Sequence, residues 1–408
     1  MRKRAGVISG SSPLTGRYLV RNPLLVWGLT AVDTLLAVQG LREAAVPPLS
    51  APPTRLLLSL GGHLGDVVIA SSLLPLIRSV WPETEIGLLL GSWSRAIVEG
   101  HPLVRWIHTV DHWKLDRSEA GRLRKLQHYK ATRRIALREI QAVGYDAAVE
   151  LYPFFPNNIR LLWRAGIPVR AGYVSGGLGA LLTHPVRWTE TERHMAESHQ
   201  EVLSSLNPAF AGSAPLRYSL PEPDRGAAGE GPLPAGLAKG EYLVLHMGAG
   251  LRLKEWPEER WRALVGRLAA EGHTLVFTGR GVDQLEQAER VIQGRDRCLN
   301  LCDRLGWSEF VATLAGARLL VSVDSVAGHI ASAVNTPVVV LMSGMNRIEQ
   351  WVPLGEAVTT VRHPVACAPC HRGQGCTAMT CVREIELDGV LRAIRKELGE
   401  HHREARKA

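Results

Sequence analysis

The chain has 408 residues, 46% of them hydrophobic and 21% charged, with a formal net charge of +9. That is the balance of an ordinary globular protein, not of a fibre or a disordered chain, with core material for about two to three domains. The positive surplus, more Arg than Lys, suits a phosphorylated ligand, an anionic membrane surface or nucleic acid, or else a solvated basic surface.

The apolar run 24–41 has no small-residue cleavage site directly behind it and so does not read as a secretory signal. It is a poor membrane span, with Asp33 in its middle and Gln39 near its end. Its length is marginal against the ~20 residues a span needs. An acid at the bilayer centre also costs about 2.5–3.5 kcal/mol on insertion scales. The run is expected to be a helix flanked by Arg17, Arg21 and Arg42, packed on the protein or lying on the cytoplasmic membrane face. Residues 45–53 are a Pro- and Ser-rich linker, so 1–53 reads as an N-terminal helical extension.

From residue 54 the pattern alternates. Short apolar runs at 55–60, 85–90, 104–110, 145–151 and 169–173 predict strands; 67–80, 93–99, 117–143, 159–165 and 194–206 predict helices. Such alternation implies a parallel sheet with right-handed crossovers. The segment 117–143 is crowded with Arg122, Arg124, Lys125, Lys130, Arg133, Arg134 and Arg138, with Leu123, Leu126, Ile135 and Ile140 as its expected inner stripe. It reads equally as a contact face for an anionic acceptor or lipid and as a solvated face.

Residues 207–240 lose apolar periodicity and read as a linker between a domain at 54–206 and one at 241–408. The second domain repeats the alternation, with strands at 242–246, 274–277, 319–323 and 337–341. Helices are expected at 257–270, 282–292, 307–316 on a Ser308 cap, 327–334 and 387–398. The fold class is therefore α/β: two Rossmann-like, doubly wound parallel-sheet domains facing a cleft.

Four stretches carry chemistry. Leu56 to Asp66 is a strand running into Gly61, Gly62 and Gly65, with Asp66 at the mouth of a helix as either a cap or a base. Gly248, Ala249 and Gly250 form a loop ahead of Lys254, a point charge for a phosphate or simply a surface lysine. Thr278 to Asp283 follows a strand, and Asp283 can accept from ribose hydroxyls or cap the next helix. Asp324, Ser325, Val326, Ala327, Gly328 and His329 end a strand and open a helix with small residues that let a phosphate reach the first N–H groups. By itself this last stretch also reads as a simple N-cap.

Together, and with Trp256-Pro257 and Asn335-Thr336-Pro337, these stretches resemble the ADP-heptose:lipopolysaccharide heptosyltransferase group, glycosyltransferase family 9, over residues 54–398. The resemblance implies a GT-B architecture and inverting transfer from a nucleotide diphosphate sugar, ADP-heptose first among them. The implied acceptor is a lipopolysaccharide-core or other glycolipid at the inner face of the cytoplasmic membrane. It places the donor diphosphate on Ser325, Val326, Ala327, His329 and Lys254, beside Asp324, and the ribose on Asp283. Asp66 is then the general base, and the three glycines of the first turn bring backbone close to the reacting sugar. No acid pair for a metal is evident, so transfer is expected to need no catalytic cofactor, and no nucleic-acid partner is expected. The competing readings are a family-9-like transferase using another nucleotide sugar for another surface glycan, and a non-catalytic binding protein on a degenerate transferase fold.

Cys367, Cys370, Cys376 and Cys381, with His363 and His371 near them, suit either a structural tetrahedral Zn site or plain reduced thiols. Cys298 and Cys302 lie elsewhere, and disulfides are not expected in a reducing cytoplasm.

Overall fold

The computed structural model describes residues 18–20, 22–38, 47–189, 191–212, 215–221, 233–372 and 376–404. Arg17, Arg21, Gln39 and Arg42 lie outside the described residues, as do 213–214 and 222–232 of the expected linker.

Helix α1 (Pro23–Leu36) precedes the first sheet. Asn22 caps it, its side-chain oxygen accepting from the Leu24 and Leu25 N–H groups, and Pro23 occupies the first helical position, where no N–H is needed. Among the described residues no helix is long and apolar enough to cross a membrane.

The first sheet contains β1 (Arg55–Leu60), β2 (Glu85–Leu90), β3 (Val104–Thr109), β4 (Ala147–Glu150), β5 (Val169–Tyr173) and β6 (His184–Val186), all parallel, in the order β3-β2-β1-β4-β5-β6. The crossovers carry α2 (Leu64–Ser71), α3 (Leu73–Val80), α4 (Arg122–Val143) and α5 (Ile159–Arg164), and α6 (Met195–Leu206) follows β6. The second sheet repeats the plan with β7 (Tyr242–His246), β8 (Thr274–Thr278), β9 (Cys298–Asn300), β10 (Leu319–Val323), β11 (Val338–Leu341) and β12 (Val358–Val361), in the order β12-β11-β10-β7-β8-β9. Its helices are α7 (Glu258–Ala270), α8 (Val282–Ile292), α9 (Trp307–Ala315), α10 (Val326–Ala333), α11 (Ile348–Trp351), α12 (Thr380–Arg383) and α13 (Leu387–Glu404). Strands covered on both faces read as unbroken apolar runs, which is why β1, β7 and β10 were legible.

Several local expectations fail for identifiable reasons. The helix expected over 67–80 starts earlier, at Leu64, and is two helices with a break at Ser72. Pro75 has no N–H for the Ser71 carbonyl, and its ring would clash with that carbonyl in an unbroken helix. Helix α9 is not capped by Ser308: Gly306 is the N-cap, and its N–H donates to Glu309 Oε2 at 2.8 Å. The stripe expected on α4 is displaced. Leu123 is 70% and Ile135 55% exposed, whereas Ala136 and Ile140 are buried with Tyr129, Leu137 and Val143 beside them. Strands β6, β9 and β12 are too short to show a period, and β6 carries Pro185, which suits an edge.

The two halves are joined through one apolar cluster in which Val67 and Val68 of α2 meet Ala327 and Ile330 of α10. Two polar contacts reinforce the junction. His194 Nε2–H donates to the Val352 carbonyl at 2.8 Å, and Gln350 Nε2 donates to the Thr191 carbonyl at 2.9 Å. The carboxyl ends of both sheets face the gap between the halves.

Candidate active site

Each sheet reverses its strand order beside a central strand, between β1 and β4 in one and between β10 and β7 in the other. Crevices open at such points. Here they merge into one cavity of about 1530 Å³ between the halves. The N-terminal ends of α2 and α10 both reach it, bringing unsatisfied N–H groups and the positive ends of two helix dipoles to its wall.

On the first half, Asp66 is the third residue of α2, and its Oδ2 accepts the His63 N–H at 2.7 Å. The cap reading is therefore correct as far as it goes. The same carboxylate also lines the cavity. Burial pushes its pKa up, while the His63 N–H and the charges of Lys254 and Arg117 pull it down. The upward direction wins, so the group is a stronger base than a solvated aspartate. His63 beside it is pushed down to about 4 by burial, then by Arg117 and Lys254, and so is neutral. Gly62 is required by this cap, because a Cβ there would stand 2.7 Å from the Asp66 carboxyl. Gly65 lines the cavity beside His329, a Cβ on Gly65 meeting that ring at 3.5 Å. Gly61 and Gly62 do not line the cavity, contrary to the expectation that all three glycines approach the substrate. They are buried beneath it, Gly61 against Leu115 and Asn158.

On the second half, Lys254 Nζ lies 2.7 Å from Asp324 Oδ2, and both side chains line the cavity. Ser325 is the N-cap of α10 but makes no capping hydrogen bond; its Oγ is buried and has no partner among the described residues. A buried hydroxyl left unpaired at a helix N-terminus, next to a lysine, has the donor set for a phosphate oxygen. Val326 lines the cavity, whereas Ala327 is fully buried in the apolar junction and takes no part in the wall.

His329 is buried, and burial holds its pKa down at about 3. The Leu354 N–H donates to Tyr218 Oη at 3.0 Å, and Tyr218 Oη lies 2.9 Å from His329 Nδ1. With the Leu354 N–H already donating to Oη, the arrangement favours the tyrosine proton on the Nδ1 side. A neutral ring that accepts at Nδ1 carries its hydrogen on Nε2, on the side facing the cavity.

The loop Gly248–Gly250 lines the cavity, and the Ala249 N–H is directed at Glu255 Oε1, 3.5 Å away. Asp283, expected on the ribose, does not line the cavity. It is exposed in the first turn of α8 and lies outside the cavity, where Gly279, Arg280, Gln284 and Asp303 take its place. In the register of α8, Gln284 and not Asp283 turns inward. A Cβ on Gly248 or Gly279 would run into the Gln284 amide, and the Arg280 N–H donates to that amide's Oε1 at 3.1 Å.

Motif reasoning missed two features and left a third, the basic helix, open between a contact face and a solvated one. Arg117, ahead of α4, extends from the first half to the second, and a Cβ on Gly250 would overlap its guanidinium, with Cζ at 3.1 Å. Arg124 and Lys125 of α4 line the same side, so the head of the basic helix faces the cavity and not solvent alone. At the other end Trp307 and Phe310 meet at 6.1 Å between ring centroids, and Phe310 and His246 at 5.8 Å, forming an aromatic slot. The only sequence signal for these was the basic run itself; an aromatic at a helix start is indistinguishable from a core residue until its neighbours are known.

Cys367, Cys370, Cys376 and Cys381, open between a structural Zn site and plain reduced thiols, are all free thiols here. Among the described residues no group of three or more His, Cys, Asp or Glu side chains is placed to hold a metal ion. Burial first, and then the neighbouring Cys370, Cys367 and Cys376, push the Cys381 thiol pKa up, so the four thiols lie near one another. Cys370 N–H is bound to the Gly344 carbonyl at 3.0 Å, while Cys376 accepts the Met379 N–H at 3.4 Å within its own loop. The segment does contribute His371 to the cavity wall.

The sequence model for glycosyltransferase family 9 (heptosyltransferase) matches residues 133–379. Lipopolysaccharide heptosyltransferase 3 of Escherichia coli (strain K12) is 22% identical over 308 residues, covering 72% of this chain and 83% of that protein. Lipopolysaccharide heptosyltransferase 1 of the same strain is 25% identical over 296 residues, covering 69% and 86%. The solved structure of E. coli ADP-heptose lps heptosyltransferase II superposes with a TM-score of 0.64 at 18% identity, over 85% of this chain and 99% of that one, and so shares its fold.

Proposed function

Because this chain belongs to glycosyltransferase family 9, the heptosyltransferase family, and is a glycosyltransferase, we propose that it moves a heptose or related sugar from a nucleotide diphosphate donor, ADP-heptose first, to a lipopolysaccharide-core or similar glycolipid. The names of its relatives, lipopolysaccharide heptosyltransferases, support that choice of donor and acceptor. The observation that carries the reading is the opposition, across one cavity, of the Asp66 carboxylate and the Lys254–Asp324 pair beside the unpaired Ser325 hydroxyl.

The acceptor hydroxyl gives its proton to Asp66 as its oxygen attacks the anomeric carbon. The new C–O bond forms on the face opposite the leaving group, so the configuration inverts. The bond from the anomeric carbon to the diphosphate oxygen breaks, and the nucleoside diphosphate takes the electron pair. Its growing charge is met by Lys254, the α10 N-terminus, the Ser325 hydroxyl and His329 Nε2–H, donors already in position before reaction. Arg117 spans from the Asp66 side to the Gly250 loop and closes over the diphosphate. The base stacks in the slot of Trp307, Phe310 and His246, and Asp303 replaces Asp283 as the acid nearest the ribose. Arg124 and Lys125 bind the anionic acceptor. The reaction runs at the inner face of the cytoplasmic membrane, where such an acceptor is anchored.

The test is transfer to a lipopolysaccharide-core acceptor with ADP-heptose, UDP-sugars and GDP-sugars in parallel. Turnover with ADP-heptose alone is expected. Turnover only with another nucleotide sugar makes the chain a family-9 transferase for a different glycan. Binding of no nucleotide sugar, read as no rise in melting temperature, leaves a non-catalytic protein on this fold.

A further inference from the structure

Helix α1 has two faces. Leu29 and Asp33 are buried, with Asp33 Oδ2 accepting the Tyr18 hydroxyl at 2.7 Å. Leu36 packs on the small cluster of Ile159, Leu181 and Leu182, and a Cβ on Gly177 would run into Leu29. The opposite face is open. Leu24 is 81% exposed, Trp27 78%, Leu35 57% and Val38 79%. At about 100° per residue Leu24, Trp27 and Leu35 of α1 fall within one stripe, directly opposite Leu29 and Asp33, and Val38 follows just past the helix end. Large apolar side chains gathered this way, most of their surface in water, are not the scattered singles of an ordinary surface.

We propose that this stripe of α1 is a docking surface for an anionic lipid bilayer, holding the cleft against the membrane from which its acceptor is drawn. Helix α1 has 14 residues, roughly 20 Å at 1.5 Å each, too short for a hydrocarbon core of about 30 Å, so it lies in the interface plane. Trp27 suits that depth, with an apolar ring and a polar N–H. The only acid of the helix, Asp33, faces the protein. Helix α5, whose Ile159 belongs to the same small cluster, exposes Trp163 with Arg160 and Arg164, guanidinium groups that match lipid phosphates. The surface is tied to the active-site cavity. Next to Tyr18, Leu19 donates its N–H to the Ser175 carbonyl at 2.9 Å and lines that cavity. The choice of a bilayer over a protein partner rests on the glycolipid acceptor proposed above.

The experiment is flotation of the full chain with vesicles of phosphatidylglycerol and phosphatidylcholine, against vesicles of phosphatidylcholine alone, none carrying acceptor. The wild type is expected to float with the anionic vesicles. Trp27→Glu with Leu35→Glu lowers the bound fraction at least about tenfold, and Arg160→Glu with Arg164→Glu lowers it as well and removes its decline with added salt. Both variants keep wild-type transfer to a delipidated, soluble acceptor fragment, because neither pair is in the cleft. Flotation unchanged by the Trp27 and Leu35 changes overturns the proposal. So does a wild type that ignores vesicles, whether it stays monomeric or sediments as a dimer that those changes dissociate. Since the vesicles hold no acceptor, failure here is separate from failure of the transfer assay.

Discussion

Lys254 Nζ stands 2.7 Å from Asp324 Oδ2 at the wall of the cleft, with side-chain exposures of 17% and 9%. One residue comes from the loop after β7 and the other from the end of β10, so neighbouring strands of one sheet bring together an acid and a base 70 positions apart in the chain. The pair fixes the ammonium beside the unpaired Ser325 hydroxyl, where a diphosphate is expected.

Removing this ammonium removes a donor to the leaving group. Lys254→Met is expected to lower kcat about 10²–10³-fold in steady-state transfer, the usual cost of one preorganised donor. Asp324→Asn keeps the lysine but not its anchor, so donor KM rises more than kcat falls. It also destabilises the fold, by up to about 3–5 kcal/mol for an uncompensated buried charge. An unchanged kcat in Lys254→Met would remove the lysine from the mechanism.

Asp66→Asn keeps an oxygen for the His63 N–H, so the start of α2 should survive and circular dichroism should match wild type. The rate is expected to fall about 10²–10⁴-fold, the range for loss of a general base. In the wild type, kcat/KM declines as pH falls through the Asp66 pKa, which burial holds above the ordinary aspartate value. That acid limb disappears in the variant. A folded Asp66→Asn protein with wild-type turnover and the same acid limb contradicts the assignment.

Tyr218→Phe leaves His329 Nδ1 and the Leu354 N–H without their shared hydroxyl. Unpairing buried groups costs about 1–3 kcal/mol, seen as a lower Tm. The Nε2–H tautomer is no longer enforced, so donor KM should rise roughly tenfold with a smaller change in kcat. Nitrogen chemical shifts of His329 read the tautomer directly, and a wild-type ring protonated at Nδ1 would overturn this account.

Glu150 is fully buried at the end of β4, its Oε2 accepting from Ser59 Oγ at 2.7 Å and from the Asn158 N–H at 3.1 Å. Burial raises its pKa from 4.5 to about 7, those hydrogen bonds opposing. The folded state therefore holds a proton that the unfolded chain has lost between about pH 4.5 and 7. Stability falls as pH rises through that window, by up to about 3 kcal/mol at 1.36 kcal/mol per unit. Glu150→Gln should flatten the decline, raising Tm relative to wild type at pH 8 and leaving it unchanged near pH 4.5. Parallel Tm–pH curves for the two proteins would show that Glu150 is not the group responsible.

The sequence by itself determined the α/β alternation and the two repeated halves, because strands buried on both faces must be continuous apolar runs. It also determined the motif at Asp66, the loop with Lys254 and the small-residue helix start at Ser325, since each is a local arrangement of strand, turn and helix. Tertiary structure decided what these residues meet. The pairing of Lys254 with Asp324, the Tyr218–His329 contact across the halves and the reach of Arg117 to Gly250 depend on chain segments brought together only by sheet order and by the packing of α2 on α10. The packing of α8 on α7 and β9 put Asp283 outside the cavity and Gln284 inside it, because one residue of helix rotation, about 100°, separates the wall from the solvent.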